Sequence, residues 1–275
     1  MNLKLIKKFK DKKSAKQIST VAAITVAGIF LGGCQVPSFG LYRGSTTQGQ
    51  DTFKIFVGFI IASLIVGGIV WLLMFWAMFR YRRKKGDDSV PKQFHENRIV
   101  EIIYTIIPFI IVCGLFYFTV LTENNVDAVS AHPYVNVKVT AFQWGWKFAY
   151  TFDENGVIKK SLVFGSDAGS SYSTHNVPVA VMPVGEPIKI TLVSNDVVHG
   201  FYVPAFNFSR YAQPGYTNYF DLNIVKAGYY PGRCTQYCGV YHTEMLFGIK
   251  AVSPGDFVNW INTHPASLKS LVHTG

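Results

Sequence analysis

The chain has 275 residues, of which 49% are hydrophobic and 15% are charged, and its formal net charge is +10. Its mean hydropathy is +0.21. This composition excludes a disordered chain, because such chains are poor in apolar residues. It also disfavours a purely soluble protein, since soluble domains are about 25% charged. Four cysteines in a chain of this length exclude a disulfide-dense secreted scaffold.

The positive charge is concentrated in two short segments. Residues 1–16 contain seven Lys and one Asp, residues 80–98 contain seven Lys or Arg and three acidic residues, and residues 122–275 contain ten of each sign. Both basic segments border apolar runs, which is the pattern of membrane topology. A phosphate-binding face would carry its basic residues on a folded surface, so no nucleic-acid partner is expected.

The N-terminal residues 1–33 have the pattern of a secretory signal peptide of the lipoprotein type. A basic start is followed by the apolar run Ile18–Leu31 and then by small residues. The stretch Leu31-Gly32-Gly33-Cys34 resembles a bacterial lipobox, which predicts cleavage before Cys34 and lipidation of this residue. The alternative is a plain signal anchor with an incidental cysteine. Residues 34–52 are polar and are predicted to form an exposed linker.

A transmembrane hairpin is predicted over residues 53–121. Its two apolar runs are Phe53–Phe79 and Ile99–Leu121, and a basic loop joins them. The first run alone would span ~40 Å as a helix, which is enough to cross a hydrocarbon core of ~30 Å. The positive-inside rule places the basic loop in the cytoplasm, so both ends of the hairpin face outward. An export signal ahead of the hairpin predicts the same topology.

Residues 122–275 are therefore expected outside the cytoplasm, and they have the pattern of a β-domain. Val135, Val137 and Val139 alternate with polar residues, and further β-branched or aromatic runs are separated by Gly, Pro, Asn and Asp. These runs are Val179–Val184, Pro187–Val193, Tyr216–Val225 and Met245–Val252. Short strands with turn signals predict a sandwich or barrel. Residues 153–176, rich in Gly, Ser and Asp, are predicted to be an irregular insertion.

One short stretch of the β-domain carries a set of soft metal ligands. Cys234, Cys238, His242 and Met245 fall within 12 residues. Thiolate, imidazole and thioether ligands together select copper over hard cations. A mononuclear blue copper site needs only one Cys, whereas two thiolates can bridge two metal ions, so the spacing favours a dinuclear centre. A second imidazole must then come from elsewhere, and His199, at the end of a strand-like run, is the best candidate.

Two other interpretations of the cysteine pair remain. A structural disulfide between Cys234 and Cys238 is compatible with an extracytoplasmic location, but it explains neither His242 nor Met245. A tetrahedral zinc site is the second, but zinc loops usually space their cysteines more tightly and do not use Met.

These residues resemble a known family, cytochrome c oxidase subunit II. The pattern C-x3-C-x3-H-x2-M matches its copper A signature, and the stretches Asp196–Pro204 and Gln143–Trp146 resemble its D-V-x-H-x-x-x-V-P and aromatic motifs. The start of the second span, Glu101–Pro108, resembles the family's E-h-h-W-T-h-h-P pattern. The resemblance covers residues 53 to 262 in order. The lipobox and the Gly/Ser-rich insertion resemble the Gram-positive, actinobacterial type.

The resemblance implies a membrane-anchored all-β protein, in which a two-helix hairpin precedes an extracytoplasmic cupredoxin-like β-barrel. The barrel, residues 122–275, would hold a dinuclear copper A centre. The implied ligands are the bridging thiolates of two cysteines, two terminal imidazoles, and a weakly bound thioether and backbone carbonyl: Cys234, Cys238, His199, His242, Met245 and Gln236.

The resemblance also implies a function and partners. The chain would be the electron-entry subunit of a cell-membrane cytochrome c oxidase, passing electrons to haem in subunit I for oxygen reduction coupled to proton pumping. Expected partners are subunits I and III, membrane lipid, and cytochrome c or a cytochrome c domain of a bc complex. Trp144 would receive the electron, unless it is a core aromatic of the barrel. Glu101 would mark the mouth of a proton path, unless it only starts a helix.

Three departures from the family limit what can be transferred. Gln236 replaces the usual Glu, whose side chain binds magnesium, and a neutral amide is a weaker ligand, which argues against a magnesium site. Tyr216 replaces the Arg of the family's P-G-R, and Arg210 and Ala212 replace a Lys-x-Asp pair. Contacts to haem propionates and magnesium cannot be transferred at these positions. Gly145 replaces the middle Tyr of Q-W-Y-W.

Two alternative functions can be separated from electron entry. Quinol oxidase homologues share the hairpin and barrel but lack the copper cysteines, all of which are present here. A copper-delivery lipoprotein would need no hairpin with an acid at its mouth.

The mid-span Cys113 is expected to serve packing, as buried thiols usually do.

Overall fold

The computed structural model describes residue 20 and residues 38–83, 86, 89–90, 93–165 and 177–264. The chain forms two compact units, residues 1–41 and 42–275. Within the first unit, residues 38–40 form a turn. Apart from Thr20, the predicted signal peptide lies outside the described residues, and so does Cys34. The cleavage and lipidation of this segment therefore stay predictions.

Two long apolar helices open the second unit. Helix α1 spans Thr47–Arg80 and helix α2 spans Arg98–Val126. Their apolar windows have mean hydropathies of 2.6 and 2.5, and neither window is buried within the chain. At ~1.5 Å per residue both helices exceed the ~30 Å hydrocarbon core. The predicted transmembrane hairpin is thus confirmed, with each helix beginning before the apolar run that identified it.

Within the described residues, ten strands and one α-helix follow the hairpin. The strands are β1 (Val135–Phe142), β2 (Gly145–Glu154), β3 (Val157–Gly165), β4 (Val179–Pro183), β5 (Ile188–Ser194), β6 (His199–Val203), β7 (Phe208–Ala212), β8 (Asn218–Leu222), β9 (Gly228–Cys234) and β10 (Leu246–Val252). Helix α3 spans Pro254–Thr263, and short 3-10 turns cover Pro204–Phe206 and His242–Glu244.

The strands form two five-stranded sheets packed as a sandwich. The strand orders are β3-β2-β1-β5-β8 and β4-β10-β9-β6-β7. The pairs β1–β5 and β4–β10 are parallel and the remaining pairs are antiparallel. This arrangement confirms the predicted cupredoxin-like all-β domain behind a membrane hairpin.

The core lies between the sheets and is rich in aromatic rings. The β1 valines at 135, 137 and 139 are fully buried, as their alternation predicts. Phe247 stacks on Phe201 with ring centroids 4.8 Å apart and meets Trp146 edge to face at 5.0 Å. Aromatic pairs of this kind add about 0.5–1.5 kcal/mol beyond their buried area. These packed rings, which we call the aromatic floor, form a rigid layer beneath the loops at one end of the sandwich.

The predicted irregular insertion is wrong for residues 153–165. Strands β2 and β3 form a regular hairpin there, and the turn residues Asn155 and Gly156 have φ angles of 53° and 85°. Two consecutive positive φ angles at Asn-Gly are typical of the two-residue hairpin turn whose twist matches the strands. The Gly- and Ser-rich composition obscured this signal. Residues 166–176 lie outside the described residues.

The predicted exposed linker is wrong for its second half, because the first turn of α1 is bonded to the β-domain. The backbone N–H groups of Ser45 and Thr47 donate to the carbonyls of Ala205 and Asn223 at 2.8 and 3.0 Å. Thr46 is fully buried, and its hydroxyl caps α1 by accepting the N–H of Gly49. Polar residues that satisfy a helix start and a neighbouring strand carry no apolar pattern, so composition alone indicated a linker.

The same junction requires a glycine. Gly49 is buried, and a Cβ atom there would lie 2.1 Å from the carbonyl oxygen of Phe206. The side-chain amide of Asn207 donates to the carbonyls of Tyr42 and Gly49 at 2.6 and 3.2 Å. We call residues 42–50 the clasp, because they bond the start of the first span to the base of the sandwich.

Candidate metal centre

The loop between β9 and β10 carries four of the predicted ligands. Cys234 ends β9, and Met245 immediately precedes β10, with which β9 pairs antiparallel. The N–H of Cys234 donates to the carbonyl of Met245 at 3.1 Å, which closes the base of the loop. Between them the chain passes Cys238 and the 3-10 turn at His242. A ligand-bearing loop closed by a strand pair has little freedom to rearrange.

His199 reaches the same loop from the neighbouring strand. It is the first residue of β6, which pairs with β9 so that Phe201 lies opposite Cys234. The imidazole of His199 is fully buried. A residue 35 positions away in the sequence is thus adjacent in space, as the search for a second imidazole predicted.

The sulfur and nitrogen atoms converge on one small volume. The Sγ atoms of Cys234 and Cys238 are 3.9 Å apart, and both cysteines are free. His199 Nδ1 lies 3.9 Å from Cys234 Sγ, and His242 Nδ1 lies 3.6 Å from Cys238 Sγ. The Met245 sulfur is 3.8 Å from Cys238 Sγ. Each thiol therefore has one imidazole on its outer side.

A backbone oxygen completes this arrangement. The carbonyl oxygen of Gln236 lies 3.2 Å from Cys234 Sγ, so a weak oxygen ligand on one side matches the Met245 thioether on the other. Two central thiols, two flanking imidazoles and two weaker donors fit a pair of copper ions, because this donor set is soft and nearly symmetric. The structure brings together every residue that was predicted as a ligand.

Asp196 orients the buried imidazole of His199. Its Oδ1 is 2.7 Å from His199 Nε2 and accepts the N–H of Val197 at 2.7 Å, while its Oδ2 accepts the N–H of Gln143 at 2.6 Å. Burial opposes ionisation of Asp196, but these hydrogen bonds outweigh it and hold the pKa of the carboxyl below its ordinary value. With Nε2 engaged, Nδ1 of His199 is the nitrogen presented to the metal.

The two thiols differ in acidity. Burial opposes ionisation of Cys234, but hydrogen bonds from His199 and from the N–H of Gly200 lower the pKa of Cys234 below its usual range. Burial, followed by the neighbouring charge of Cys234, raises the pKa of Cys238 to about 12. Cys234 therefore ionises first, and a metal must displace the proton of Cys238.

Trp144 and Gln143 hold the other side of the loop. The indole Nε1 of Trp144 and the side-chain amide of Gln143 both donate to the carbonyl oxygen of Cys238, at 3.0 and 2.7 Å. Trp144 is half-buried and meets Tyr241 edge to face at 5.0 Å. It also lies against Gly239, where a Cβ atom would be 2.9 Å from the indole ring. Trp144 is therefore neither a core residue nor a free surface aromatic.

Sequence reasoning missed the roles of Gln143 and Asp196 in this arrangement. Both belong to motifs quoted above, but their hydrogen-bond partners are distant in the sequence. Gln143 is 95 positions from Cys238 and 53 positions from Asp196. The signal that could have found Asp196 is its position three residues before a ligating His, since metal-bound imidazoles usually have a carboxylate or carbonyl partner.

Glu101 lies at the other end of the molecule, in the first turn of α2. Its Oε1 accepts the N–H of Asn97 at 3.3 Å, while the Asn97 side chain accepts the N–H of Val100 at 3.3 Å. This reciprocal pattern resembles a capping box with the acid one residue later, and it satisfies free N–H groups at a helix start. Glu101 thus has a structural role, and its part in a proton path stays a prediction.

Comparison with known proteins gives matches over most of the chain. Residues 135–252 match the family model of the cytochrome c oxidase subunit II periplasmic domain, and residues 38–120 match the transmembrane domain of the same subunit. The chain is 30% identical to cytochrome c oxidase subunit 2 of Mycobacterium tuberculosis, covering 89% of this chain and 81% of the relative. It is 31% identical to the probable subunit 2 of Nocardia farcinica, covering 91% and 82%.

Among solved structures, the periplasmic domain of subunit II of the Bradyrhizobium japonicum cytochrome oxidase matches with 27% identity and a TM-score of 0.41. This match covers 48% of the present chain and 94% of that domain.

Proposed function

The chain belongs to the cytochrome c oxidase subunit II family, and from this premise we propose that Trp144 receives electrons from a cytochrome c and delivers them to a copper A centre in the β9–β10 loop. The chain is the electron-entry subunit of a membrane-bound haem-copper oxidase, and its β-domain faces away from the cytoplasm. Oxygen reduction takes place in partner subunits, to which this subunit passes electrons.

The observation that carries the proposal is the convergence of two free, buried cysteines with one imidazole beside each. The thiols of Cys234 and Cys238 and the imidazoles of His199 and His242 would hold the copper, and the Met245 thioether and the Gln236 carbonyl would add two weaker donors. Copper held by this donor set would supply a one-electron redox centre, and sharing the electron over two ions would keep the change in each bond length small and favour fast transfer.

The protein contributes a site whose geometry is set before the metal arrives. The strand pair β9–β10 fixes the loop ends, and Asp196 fixes the ring of His199. The aromatic floor limits movement beneath the ligands, because closely packed interiors resist deformation. A rigid donor set of this kind favours the same coordination in both redox states.

Electron entry is assigned to Trp144 because of its contacts. The ring lies against the ligand loop at Gly239, and its N–H is bonded to the carbonyl of Cys238. This hydrogen bond gives a route of a few atoms from the indole to the Cys238 thiolate. The alternative role as a core aromatic belongs instead to Trp146, which is fully buried and donates to the carbonyl of Met245 at 3.3 Å.

The remaining predictions are kept as part of the proposal. The partner subunits are subunits I and III, and the donor is a soluble cytochrome c or a cytochrome c domain of a bc complex. Glu101, at the cytoplasmic start of α2, takes up protons for subunit I. Residues 1–33 are removed and Cys34 carries lipid. Magnesium is not expected, because the family's acidic ligand is replaced by Gln236.

The experiment that tests electron entry is donor oxidation by the purified oxidase complex. Reduced cytochrome c and a quinol are offered separately to the wild-type complex and to Trp144→Phe. We expect the wild-type complex to oxidise cytochrome c and the variant to do so about tenfold more slowly or worse, with the copper spectrum intact. Oxidation of quinol but not cytochrome c would overturn the proposal in favour of a quinol oxidase.

A further inference from the structure

A cleft of about 350 Å³ lies between the outer ends of α1 and α2, and it is separate from the metal centre. Asp51, Lys54 and Gly58 line it from α1. Their spacing of three and four residues places them on one face of the helix. The opposite wall comes from α2 and includes Leu115, Phe118 and Asn125, which also share a helix face.

The cleft is open because Gly58 contributes no side chain to the α1 wall. A Cβ atom at Gly58 would meet no atom within 4 Å. Gly58 lies one turn below Lys54, so the missing side chain leaves a gap towards the membrane interior. Across the gap, Leu115 and Phe118 provide an apolar wall. The lower part of the cleft is therefore shaped for a hydrocarbon chain.

The mouth of the cleft carries both signs of charge. Lys54 Nζ lies 2.7 Å from Asp51 Oδ1, and the side chain of Lys54 is 73% exposed. Asn125, from α2, adds an amide at the same level. Because both hairpin ends face outward, this polar rim lies at the outer surface of the bilayer, where lipid headgroups are found. A net-neutral pair of opposite charges complements a headgroup that also carries both.

We propose that this cleft binds one zwitterionic phospholipid of the outer leaflet. An acyl chain lies between Gly58 and Phe118, the phosphate contacts Lys54, and the ammonium group contacts Asp51. The ion pair within the protein opens to two ion pairs with the lipid, which keeps every charge compensated. The clasp ends at residue 50, directly before Asp51, so the lipid fills the space under the junction of the first span with the β-domain.

The test labels the lipid from inside the cleft of the intact oxidase complex. Leu115 is replaced by the diazirine analogue photo-leucine, and the complex is placed in nanodiscs with equal amounts of phosphatidylethanolamine and phosphatidylglycerol. The control carries photo-leucine at Leu64, which is exposed on α1 and does not line the cleft. Mass spectrometry then identifies the lipid adducts at each position.

We expect adducts of phosphatidylethanolamine to exceed those of phosphatidylglycerol about fivefold at Leu115. At Leu64 we expect equal amounts of the two adducts. Lys54→Met should abolish the enrichment. Gly58→Leu, which fills the cleft, should abolish the adduct at Leu115. Gly68→Leu is the matched control and should leave the adduct, because Gly68 does not line the cleft. A Cβ atom at either glycine meets nothing within 4 Å, so neither substitution creates a clash within the chain. Cytochrome c oxidation is measured in parallel, so a failed lipid site is distinguished from a failed electron-entry role.

Three outcomes would overturn the proposal. Equal labelling at Leu115 and Leu64 would mean that only bulk lipid is present. Adducts confined to protein would mean that a helix of a partner subunit fills the cleft. Enrichment of phosphatidylglycerol would mean that the charge pair selects an anionic lipid instead.

Discussion

The indole Nε1 of Trp144 and the backbone carbonyl oxygen of Cys238 are joined by a hydrogen bond of 3.0 Å. This bond connects the β1–β2 turn to the middle of the ligand loop. The side chain of Gln143 donates to the same oxygen at 2.7 Å, so two adjacent residues of the turn hold one ligand in place. The turn is itself bonded to Asp196, and through it to His199.

The first prediction concerns Trp144→Phe. The variant keeps an aromatic ring against Gly239 but loses the N–H that donates to the Cys238 carbonyl. We expect cytochrome c oxidation by the complex to fall about tenfold or more, equivalent to ~1.4 kcal/mol in the barrier, while the copper content is unchanged. Gln143→Glu, which removes the other donor to this carbonyl, should cost less. Full turnover in Trp144→Phe would remove the tryptophan from the electron path.

The second prediction concerns Asp196→Asn. The amide is neutral, so the orientation of the His199 ring and its basicity both weaken. Loss of such a partner typically lowers metal affinity or activity 10–100-fold, and we expect a loss of this order in competition with a copper chelator. Glu186→Gln, which removes a charge from a different loop, is the matched control. Equal copper affinity in the two variants would contradict the assigned role of Asp196.

The third prediction concerns Met245→Leu. The side chain is fully buried, and leucine has a similar volume, so the fold should change little, by less than about 1.5 kcal/mol. The variant should keep both copper ions but lose a weak ligand on one side. We expect a changed electron distribution in the copper spectrum and slower onward transfer. A spectrum identical to that of wild type would show that the thioether is not a ligand.

The fourth prediction concerns copper loading of the metal-free chain. The pKa of Cys238 is raised to about 12, so this thiol is protonated at neutral pH and must lose its proton when copper binds. Apparent affinity should therefore fall about tenfold for each pH unit of acidification per proton released. Titration calorimetry in buffers of different ionisation enthalpy measures the number of protons. Proton-independent binding would mean that Cys238 does not bind copper as a thiolate.

The fifth prediction concerns the clasp. In Gly49→Ala the added Cβ atom would collide with the carbonyl oxygen of Phe206 at 2.1 Å, so α1 and the β-domain must separate locally. We expect a loss of about 1–3 kcal/mol, as for other overpacked sites, visible as a lower melting temperature of the β-domain in detergent. Gly67→Ala lies on the same helix in open space and should not lower it. Equal melting temperatures would contradict the tight junction.

The ligand set was predictable because five of its six members lie in one short stretch, residues 234–245. Spacing alone identified Cys234, Cys238, His242 and Met245, since a metal requires donors of matched softness within a few ångströms. His199 was found by elimination and by its position at a strand end. The membrane hairpin was equally accessible, because long apolar runs have few other interpretations.

The features that escaped prediction depend on partners distant in the sequence. The clasp contains polar residues whose backbone N–H groups donate to the carbonyls of Ala205 and Asn223. No local sequence pattern predicts contacts over such a distance in the chain. The bonds of Asp196 and Gln143 are of the same kind. Strand β3 was missed for another reason: its Asn155-Gly156 turn is a strong local signal, but the Gly- and Ser-rich residues after it obscured the hairpin.

The central claim is that Cys234 and Cys238 bridge two copper ions. The most direct measurement is metal analysis combined with electron paramagnetic resonance of the purified complex, alongside Cys238→Ser. The account predicts two copper ions per chain beyond the copper of the partner subunits, with a hyperfine pattern of one electron shared equally by two copper nuclei, and loss of this pattern in Cys238→Ser. A single copper ion with an unshared electron, or an unchanged spectrum in Cys238→Ser, would contradict it.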